Sequence, residues 1–155
     1  MRTQTKPCEG VDRAARCPAP APAASSSTSP RQRILVVDDD RIVAVTVDLI
    51  LSSTYDVTVA SSVTEALEQL RASAFDLILC DVVMPGRSGL ALYDELARTS
   101  YAGPIIFMSG GSLPARTQAS LQSTGAPMLA KPFFVADLEA LVAGLLLRAT
   151  GSEGW

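Results

Sequence analysis

The chain has 155 residues, 48% of them hydrophobic and 19% charged, which suits one packed domain and excludes a wholly disordered chain. It contains no histidine, and this excludes His-ligated metal sites, Ser-His-Asp and Cys-His triads and a role as phosphohistidine donor. Its net charge of −3 gives no basic footprint for binding nucleic acid.

The charge and the prolines are unevenly distributed along the chain. Residues 1–33 carry six basic and two acidic side chains, a net +4, so the remainder carries −7. Residues 1–30 hold five of the ten prolines and an Ala/Ser/Thr run, a composition typical of a disordered tail or linker. We therefore expect a folded domain over 31–148 and a short C-terminal tail over 149–155.

Cysteine usage and hydropathy predict the cellular compartment of the protein. Cys8, Cys17 and Cys80 are odd in number and form no close pair, which favours a reducing, cytoplasmic environment without a cysteine metal site. Cys80 ends an apolar run and is expected to be a buried small hydrophobe. No apolar stretch reaches membrane-spanning length, and the N-terminus has no apolar segment typical of a secretory signal.

Short apolar runs alternate with helical patterns from residue 34 onward. The runs predict five strands, at 34–37, 57–60, 77–80, 105–108 and 128–130. The first two helical patterns cover 41–53, with Asp40 as N-cap, and a segment that begins at the capping box from Ser62 to Glu65. The third is capped by Ser88, and the fourth has Pro114 in its first turn and ends near Gly125. The fifth is a Leu-rich helix at 138–146. Gly86 and Gly89 are expected to be turn residues. The alternation predicts an α/β fold, a (βα)5 doubly wound parallel five-stranded sheet.

Polar residues follow four of the five predicted strands. The first is followed by Asp38-Asp39-Asp40, the third by Asp81, the fourth by Ser109 and the fifth by Lys131. In such sheets ligands bind beyond the carboxyl ends of the strands, and a strand order 2-1-3-4-5 would place the second strand away from this group.

The residue types indicate phosphoryl transfer. Clustered carboxylates repel each other, and Mg²⁺ relieves that repulsion while leaving sites open for phosphate oxygens. A carboxylate beside Mg²⁺, an ammonium and a hydroxyl can attack phosphorus in line, and Asp81, alone after a central strand, is the best nucleophile. We expect Asp40 to cap a helix rather than bind metal.

The ordered motifs ILVVDDD at 34–40, DVVMPGRSG at 81–89, MSG at 108–110 and KPF at 131–133 resemble the receiver domain of two-component response regulators. The resemblance covers 33–147 and implies a flavodoxin-like fold. It implies Asp81 as phospho-acceptor, Asp38, Asp39 and the Val83 carbonyl as Mg²⁺ ligands, Ser109 and Lys131 as phosphoryl contacts, and a cis bond before Pro132.

The resemblance also has departures and consequences for partners. Met128 stands where the family often has a switch aromatic, and the preceding loop Gly125-Ala126-Pro127 is about one residue short. The implied donor is a histidine kinase or a histidine phosphotransfer protein, and the output is binding of an unknown downstream protein or a phosphorylation-dependent homodimer. We expect no membrane and no direct nucleic-acid partner, because only 148–155 follow the last helix.

Three other interpretations stay open at this point. The chain could be a pseudo-receiver, an interaction scaffold that is never phosphorylated. Such a scaffold would not need buried like charges, and the predicted acidic cluster argues against it. A phosphatase resembling the haloacid-dehalogenase group would turn over a phosphomonoester, but it needs Asp-x-Asp after the first strand. A nucleotide-binding Rossmann fold is weak because Asp-Asp-Asp stands where glycines should be.

Overall fold

The computed structural model describes residues 30–151, and its compact unit begins at Arg31. Residues 1–29 of the tail expected at 1–30, and residues 152–155, lie outside this part. Strands are β1 Arg33–Val37, β2 Asp56–Ala60, β3 Leu77–Asp81, β4 Ile105–Ser109 and β5 Met128–Ala130. Helices are α1 Arg41–Leu51, α2 Val63–Ala72, α3 Gly89–Leu96, α4 Ala115–Thr124 and α5 Val135–Gly151.

The five strands form one parallel sheet in the order β2-β1-β3-β4-β5, so the predicted topology is confirmed. Val37 pairs with Cys80, so the ends of β1 and β3 lie level. Ser109 pairs with Ala130, so the ends of β4 and β5 also lie level. This register brings residues that follow four different strands to one edge of the sheet.

Helices cover both faces of the sheet, which is why the strands read as unbroken apolar runs. One face of the central strands, with Leu35, Ile78 and Phe107, packs in a cluster with residues of α2, α3 and α4. The alternate residues, such as Val36 and Leu79, pack on the other face with residues of α1 and α5. The rows of buried strand residues thus hold the sheet between two helical layers.

The helix ends agree with the predicted capping residues, with small differences. Asp40 accepts a hydrogen bond from the Ile42 N–H at 2.9 Å, which confirms it as N-cap. Ser62 accepts from the Glu65 N–H at 3.1 Å. The Glu65 carboxylate accepts from the backbone N–H and the hydroxyl of Ser61 rather than from Ser62, so the capping box is shifted by one residue.

Four strands are one residue longer than predicted, and three helix boundaries also differ from the sequence prediction. Pro114 is the N-cap of α4 rather than part of its first turn, and no side chain caps that helix. α1 ends at Leu51 instead of residue 53, with Ser52 as its C-cap, whose N–H donates to the Asp48 carbonyl. α5 continues to Gly151, past the domain end expected at 148.

The two glycines expected in turns behave differently. Gly86 has a φ of +81°, as a left-handed turn requires. Gly89 is the first residue of α3, so its assignment to a turn is wrong. None of the helices in residues 30–151 is both long and apolar enough to cross a membrane.

Candidate functional site

Four strand ends deliver the predicted polar side chains to one edge of the sheet. Asp81 is the last residue of β3 and Ser109 the last of β4, while Asp38 and Lys131 directly follow β1 and β5. The Lys131 N–H donates to the Ser109 carbonyl at 2.7 Å, which ties the lysine to the end of β4. The Lys131–Pro132 peptide is cis, as the resemblance implies.

Lys131 lies between two buried carboxylates. Its Nζ is 2.7 Å from Oδ2 of Asp38 and 3.0 Å from Oδ1 of Asp81. The other oxygen of Asp38 accepts from the Asp40 N–H at 2.9 Å, so both oxygens of this carboxylate have donors. Asp38 is therefore held in place by the start of α1 and by the lysine together.

The carboxylates of Asp38, Asp39 and Asp81 each offer an oxygen, and these oxygens lie within 4.8 Å of one another. Two of the three residues are buried, while Asp39 is exposed. With all of them ionised, three negative charges face the one positive charge of Lys131, which leaves a net charge of minus two in the cluster. Hard oxygen donors with this residual charge fit one divalent cation such as Mg²⁺.

Burial and charge act on both ionisable partners of the central ion pair. Burial is the main cause that raises the pKa of Asp81; the hydrogen bond from Lys131 opposes it and the negative charge of Asp38 adds to it. Burial by itself would lower the pKa of Lys131, but the hydrogen bonds and charges of Asp38 and Asp81 outweigh burial and raise it. Lys131 is therefore a cation at neutral pH.

Ser109 is buried beside this cluster, and its hydroxyl is hydrogen-bonded to a backbone carbonyl rather than to a carboxylate. The hydroxyl donates to the Gly111 carbonyl at 3.4 Å, a long and weak hydrogen bond. Ser109 and Lys131 also line a cavity of about 550 Å³ between α4 and β5. Met128 lies on the wall of the same cavity and is 44% exposed.

Two predicted site residues, Val83 and Met128, take part in none of the hydrogen bonds or ion pairs of the charged cluster among residues 30–151. Val83 lies two residues after Asp81, and its side chain is 63% exposed. Met128 is near Ser109 only as a neighbour in the cavity wall. The roles assigned to Val83 and Met128 therefore depend on the family resemblance alone.

Sequence reasoning missed one residue that touches the site. Gly89 begins α3 so close to Asp81 that a Cβ atom on it would lie 2.4 Å from the Asp81 carbonyl oxygen. The signal was present as the final glycine of the run 81–89, but the sequence alone could not distinguish a need for space from a need for positive φ. Cys80 is fully buried, as expected, and burial raises the pKa of its thiol.

Comparison with known proteins shows the family of the chain. The family model described as the response regulator receiver domain matches residues 34–143. The response regulator MprA of Mycolicibacterium vanbaalenii is 34% identical over 123 residues, which cover 79% of this chain and 53% of that protein. The transcriptional regulatory protein ZraR of Escherichia coli K12 is 35% identical over 108 residues, which cover 69% of this chain and 24% of that protein. The chain thus spans about half the length of the MprA relative.

Solved structures show the same fold. A CheY-like response regulator receiver domain protein from Methanospirillum hungatei matches with a TM-score of 0.73 at 24% identity, over 79% of this chain and 98% of that chain. A putative response regulator from Chloroflexus aurantiacus matches with a TM-score of 0.68 at 31% identity, over 77% of this chain and 99% of that chain.

Proposed function

The chain belongs to the response regulator receiver domain family, and from this membership we propose that it accepts a phosphoryl group on Asp81 from a phosphohistidine of a partner protein, with Mg²⁺ at the site. The observation that carries the proposal is the contact of the Lys131 ammonium with two buried carboxylates, 2.7 Å from Asp38 and 3.0 Å from Asp81. Such a buried charge group is a poor device for stability alone, because desolvation offsets most of its attraction.

The reaction exchanges one bond to phosphorus for another. An Asp81 carboxylate oxygen forms a bond to phosphorus, the bond from phosphorus to the donor nitrogen breaks, and the imidazole leaves with that electron pair. Water later attacks the phosphorus of the acyl phosphate, the bond from phosphorus to the Asp81 oxygen breaks, and inorganic phosphate leaves as the carboxylate is restored. Asp81 serves as nucleophile because it is the acid at the end of a central strand, with its backbone held by the β3–β4 pairing.

The metal site would be formed by Asp38, Asp39 and Asp81, with the Val83 backbone carbonyl as the further ligand that the family resemblance implies. Bound Mg²⁺ supplies neutralisation of the phosphoryl oxygens as the transfer proceeds. Phosphorylation replaces the single charge of Asp81 with nearly two, so the cluster needs a cation more after the transfer than before it.

Lys131 and Ser109 would contact the phosphoryl group from the other side. The ammonium already touches Asp81, so it can pair with a phosphoryl oxygen after a small movement. The Ser109 hydroxyl has to leave the Gly111 carbonyl to do the same, and their weak hydrogen bond at 3.4 Å costs little to break. We infer that this movement shifts the population toward a second packing of the β4–α4 region in which Met128 changes its place in the cavity wall.

A protein donor has to cover the edge of the sheet that carries Asp81. Exposed apolar side chains follow the site residues closely in the chain: Ile42 after Asp40, Val83 after Asp81 and Phe134 after Lys131. These exposed side chains are available for contact with a helical histidine kinase or histidine phosphotransfer protein. Val45 and Leu49 continue the apolar stripe of Ile42 along α1.

The output would be binding of a downstream protein or a homodimer that forms on phosphorylation, in the cytoplasm. Two alternatives are not favoured. A scaffold that is never phosphorylated has no use for three clustered carboxylates beside a half-buried lysine. A phosphatase of the haloacid-dehalogenase kind would carry its nucleophile after β1, where Asp38 is instead occupied by Lys131 and the Asp40 N–H.

The test is phosphorylation by a small donor. Purified protein is incubated with phosphoramidate and Mg²⁺, and intact mass shows whether one phosphoryl group is gained. Asp81→Asn should abolish the gain, whereas the exposed Asp94→Asn control should retain it. Labelling that persists in folded Asp81→Asn, or labelling of the wild type that does not need Mg²⁺, would refute the proposal.

A second arm tests the protein donor. Ile42→Ser and Phe134→Ser should slow transfer from a phosphorylated histidine kinase while leaving labelling by phosphoramidate unchanged. Loss of both activities would show that these side chains are needed for folding. Loss of neither would show that they do not contact the donor.

A further inference from the structure

The start of α3 lies directly against the backbone of the proposed phospho-acceptor. A Cβ atom at residue 89 would lie 2.4 Å from the carbonyl oxygen of Asp81 and 3.2 Å from its carbonyl carbon. It would also lie 3.1 Å from the Sγ atom of Cys80. The nearest atom, the Asp81 carbonyl oxygen, belongs to the backbone of a central strand, so it cannot rotate away as the end of a flexible side chain could.

The need at this position is for space rather than for unusual backbone angles. Gly86 and Gly125 have positive φ values, but Gly89 has an ordinary helical start. The Gly89 N–H donates to the Val82 carbonyl at 3.0 Å, and the Val82 N–H donates to the Met108 carbonyl at 2.9 Å. Residue 89 therefore closes the loop 82–88 onto its own beginning and onto β4.

We propose that Gly89 is a positioning residue for the metal site: its lack of a side chain lets α3 seat against Asp81 and so holds the acceptor and the loop that bears Val83 in register with Asp38 and Asp39. The inference rests on the proposed function, since it concerns the same site. The carboxylates of Asp38 and Asp39 belong to a different strand end, so a shift of β3 and its loop changes the distances among the three acids.

The size of the disturbance follows from the contact. A Cβ atom essentially never comes within 3.0 Å of another heavy atom, so the 2.4 Å separation would have to grow by at least 0.6 Å. Mg²⁺ demands nearly ideal octahedral geometry at about 2.0–2.1 Å, and supporting residues around metal sites commonly contribute about 10- to 100-fold in affinity. We therefore expect Gly89→Ala to weaken Mg²⁺ binding by about tenfold or more.

Gly144→Ala is the matched control. Gly144 lies inside α5, which contributes none of the site residues, and a Cβ atom there meets nothing within 4 Å. Isothermal titration with Mg²⁺ should give the control an affinity within about twofold of the wild type. Urea unfolding in EDTA measures the metal-free stability of each variant separately.

The results of these titrations decide the proposal. A folded Gly89→Ala with tenfold weaker Mg²⁺ binding supports it, and unchanged binding overturns it even where stability falls. Removing the sulfur contact with Cys80→Ala in the Gly89→Ala background should leave binding weak, since the carbonyl clash remains; full recovery would assign the effect to sulfur and overturn the proposal. If Gly89→Ala folds poorly, titration is repeated in trimethylamine N-oxide, and failure to fold there assigns Gly89 to the fold alone. A wild type that binds no Mg²⁺ would instead refute the proposed function.

Discussion

Replacement of Asp81 by Asn separates two views of the charged cluster. If the ion pair with Lys131 holds the fold together, removal of one partner should destabilise the protein by about 3–5 kcal/mol. If the carboxylate is retained for chemistry, its removal should cost little. The distances in the structure allow a choice between the two.

The attraction and the repulsion at Asp81 nearly cancel. A separation of 3.0 Å from the Lys131 ammonium gives an attraction of about 5 kcal/mol at an effective dielectric near 20. Carboxylate oxygens of Asp38 and Asp39 within 4.8 Å repel it by about 3 kcal/mol each on the same basis. Desolvation of Asp81 adds to the repulsion, whereas water around the exposed Asp39 screens its share.

We therefore expect metal-free Asp81→Asn to be as stable as the wild type, or more stable by up to about 1 kcal/mol. Urea unfolding followed by circular dichroism in EDTA measures this difference. Mg²⁺ at a hundred times its Kd should stabilise the wild type by about 2.7 kcal/mol and Asp81→Asn by clearly less. A loss of 3 kcal/mol or more in EDTA, or an equal gain from Mg²⁺, would refute the reasoning.

The pH dependence of stability should likewise favour Asp81→Asn over the wild type as the pH rises. Burial, aided by the charge of Asp38, raises the pKa of Asp81 above its ordinary value of 3.8, so the folded state binds this proton more tightly than the unfolded chain. The stability from this carboxyl is fully present below the unfolded pKa and is lost as the pH rises through the folded pKa. In EDTA, the stability of Asp81→Asn relative to the wild type should therefore increase as the pH rises from 3.8 through the raised pKa. An advantage that shrinks over this window would contradict the assignment.

Three further predictions concern stability and reactivity. Gly125→Ala should lower the free energy of unfolding by about 1 kcal/mol, because φ at this C-cap of α4 is +72°; no loss in urea unfolding would contradict the strained backbone. Gly144→Ala should raise it by about 0.5–1 kcal/mol, because a Cβ atom inside α5 meets nothing within 4 Å and alanine is the better helix former; destabilisation would indicate a contact on that face. In a Cys8→Ser, Cys17→Ser background, the thiol of Cys80 should react with 5,5′-dithiobis(2-nitrobenzoic acid) only as the protein unfolds, because it is fully buried and burial raises its pKa. Rapid labelling of the folded protein would show that β3 opens locally.

Much of the fold could be predicted because its signals are local. Apolar runs marked the strands, and Asp40 and Ser62 marked helix starts through the hydrogen bonds that their side chains accept. The shifted capping box at Ser61 could not be foreseen, since both hydroxyl residues are within reach of Glu65. The end of α1 depends on its last backbone hydrogen bonds, which the apolar pattern does not mark.

The candidate site could be predicted in membership but not in arrangement. Parallel strands place their carboxyl ends on one edge, so Asp38, Asp81 and Lys131 were expected together. That Lys131 bridges two carboxylates, and that the Ser109 hydroxyl turns toward the Gly111 carbonyl, depends on side-chain directions that no spacing encodes.

The amino-acid sequence by itself determined the alternation of strands and helices, the acids, hydroxyl and amine that follow the strands, and the family to which they point. Only the tertiary structure decided which atoms touch: the lysine held between two acids, the cavity beside Met128, and the helix seated against Asp81. The physical reason is the distance along the chain over which each kind of interaction acts. Periodicity and capping act over a few residues of chain, whereas close contact between atoms from distant segments depends on how the whole sheet and its helices pack.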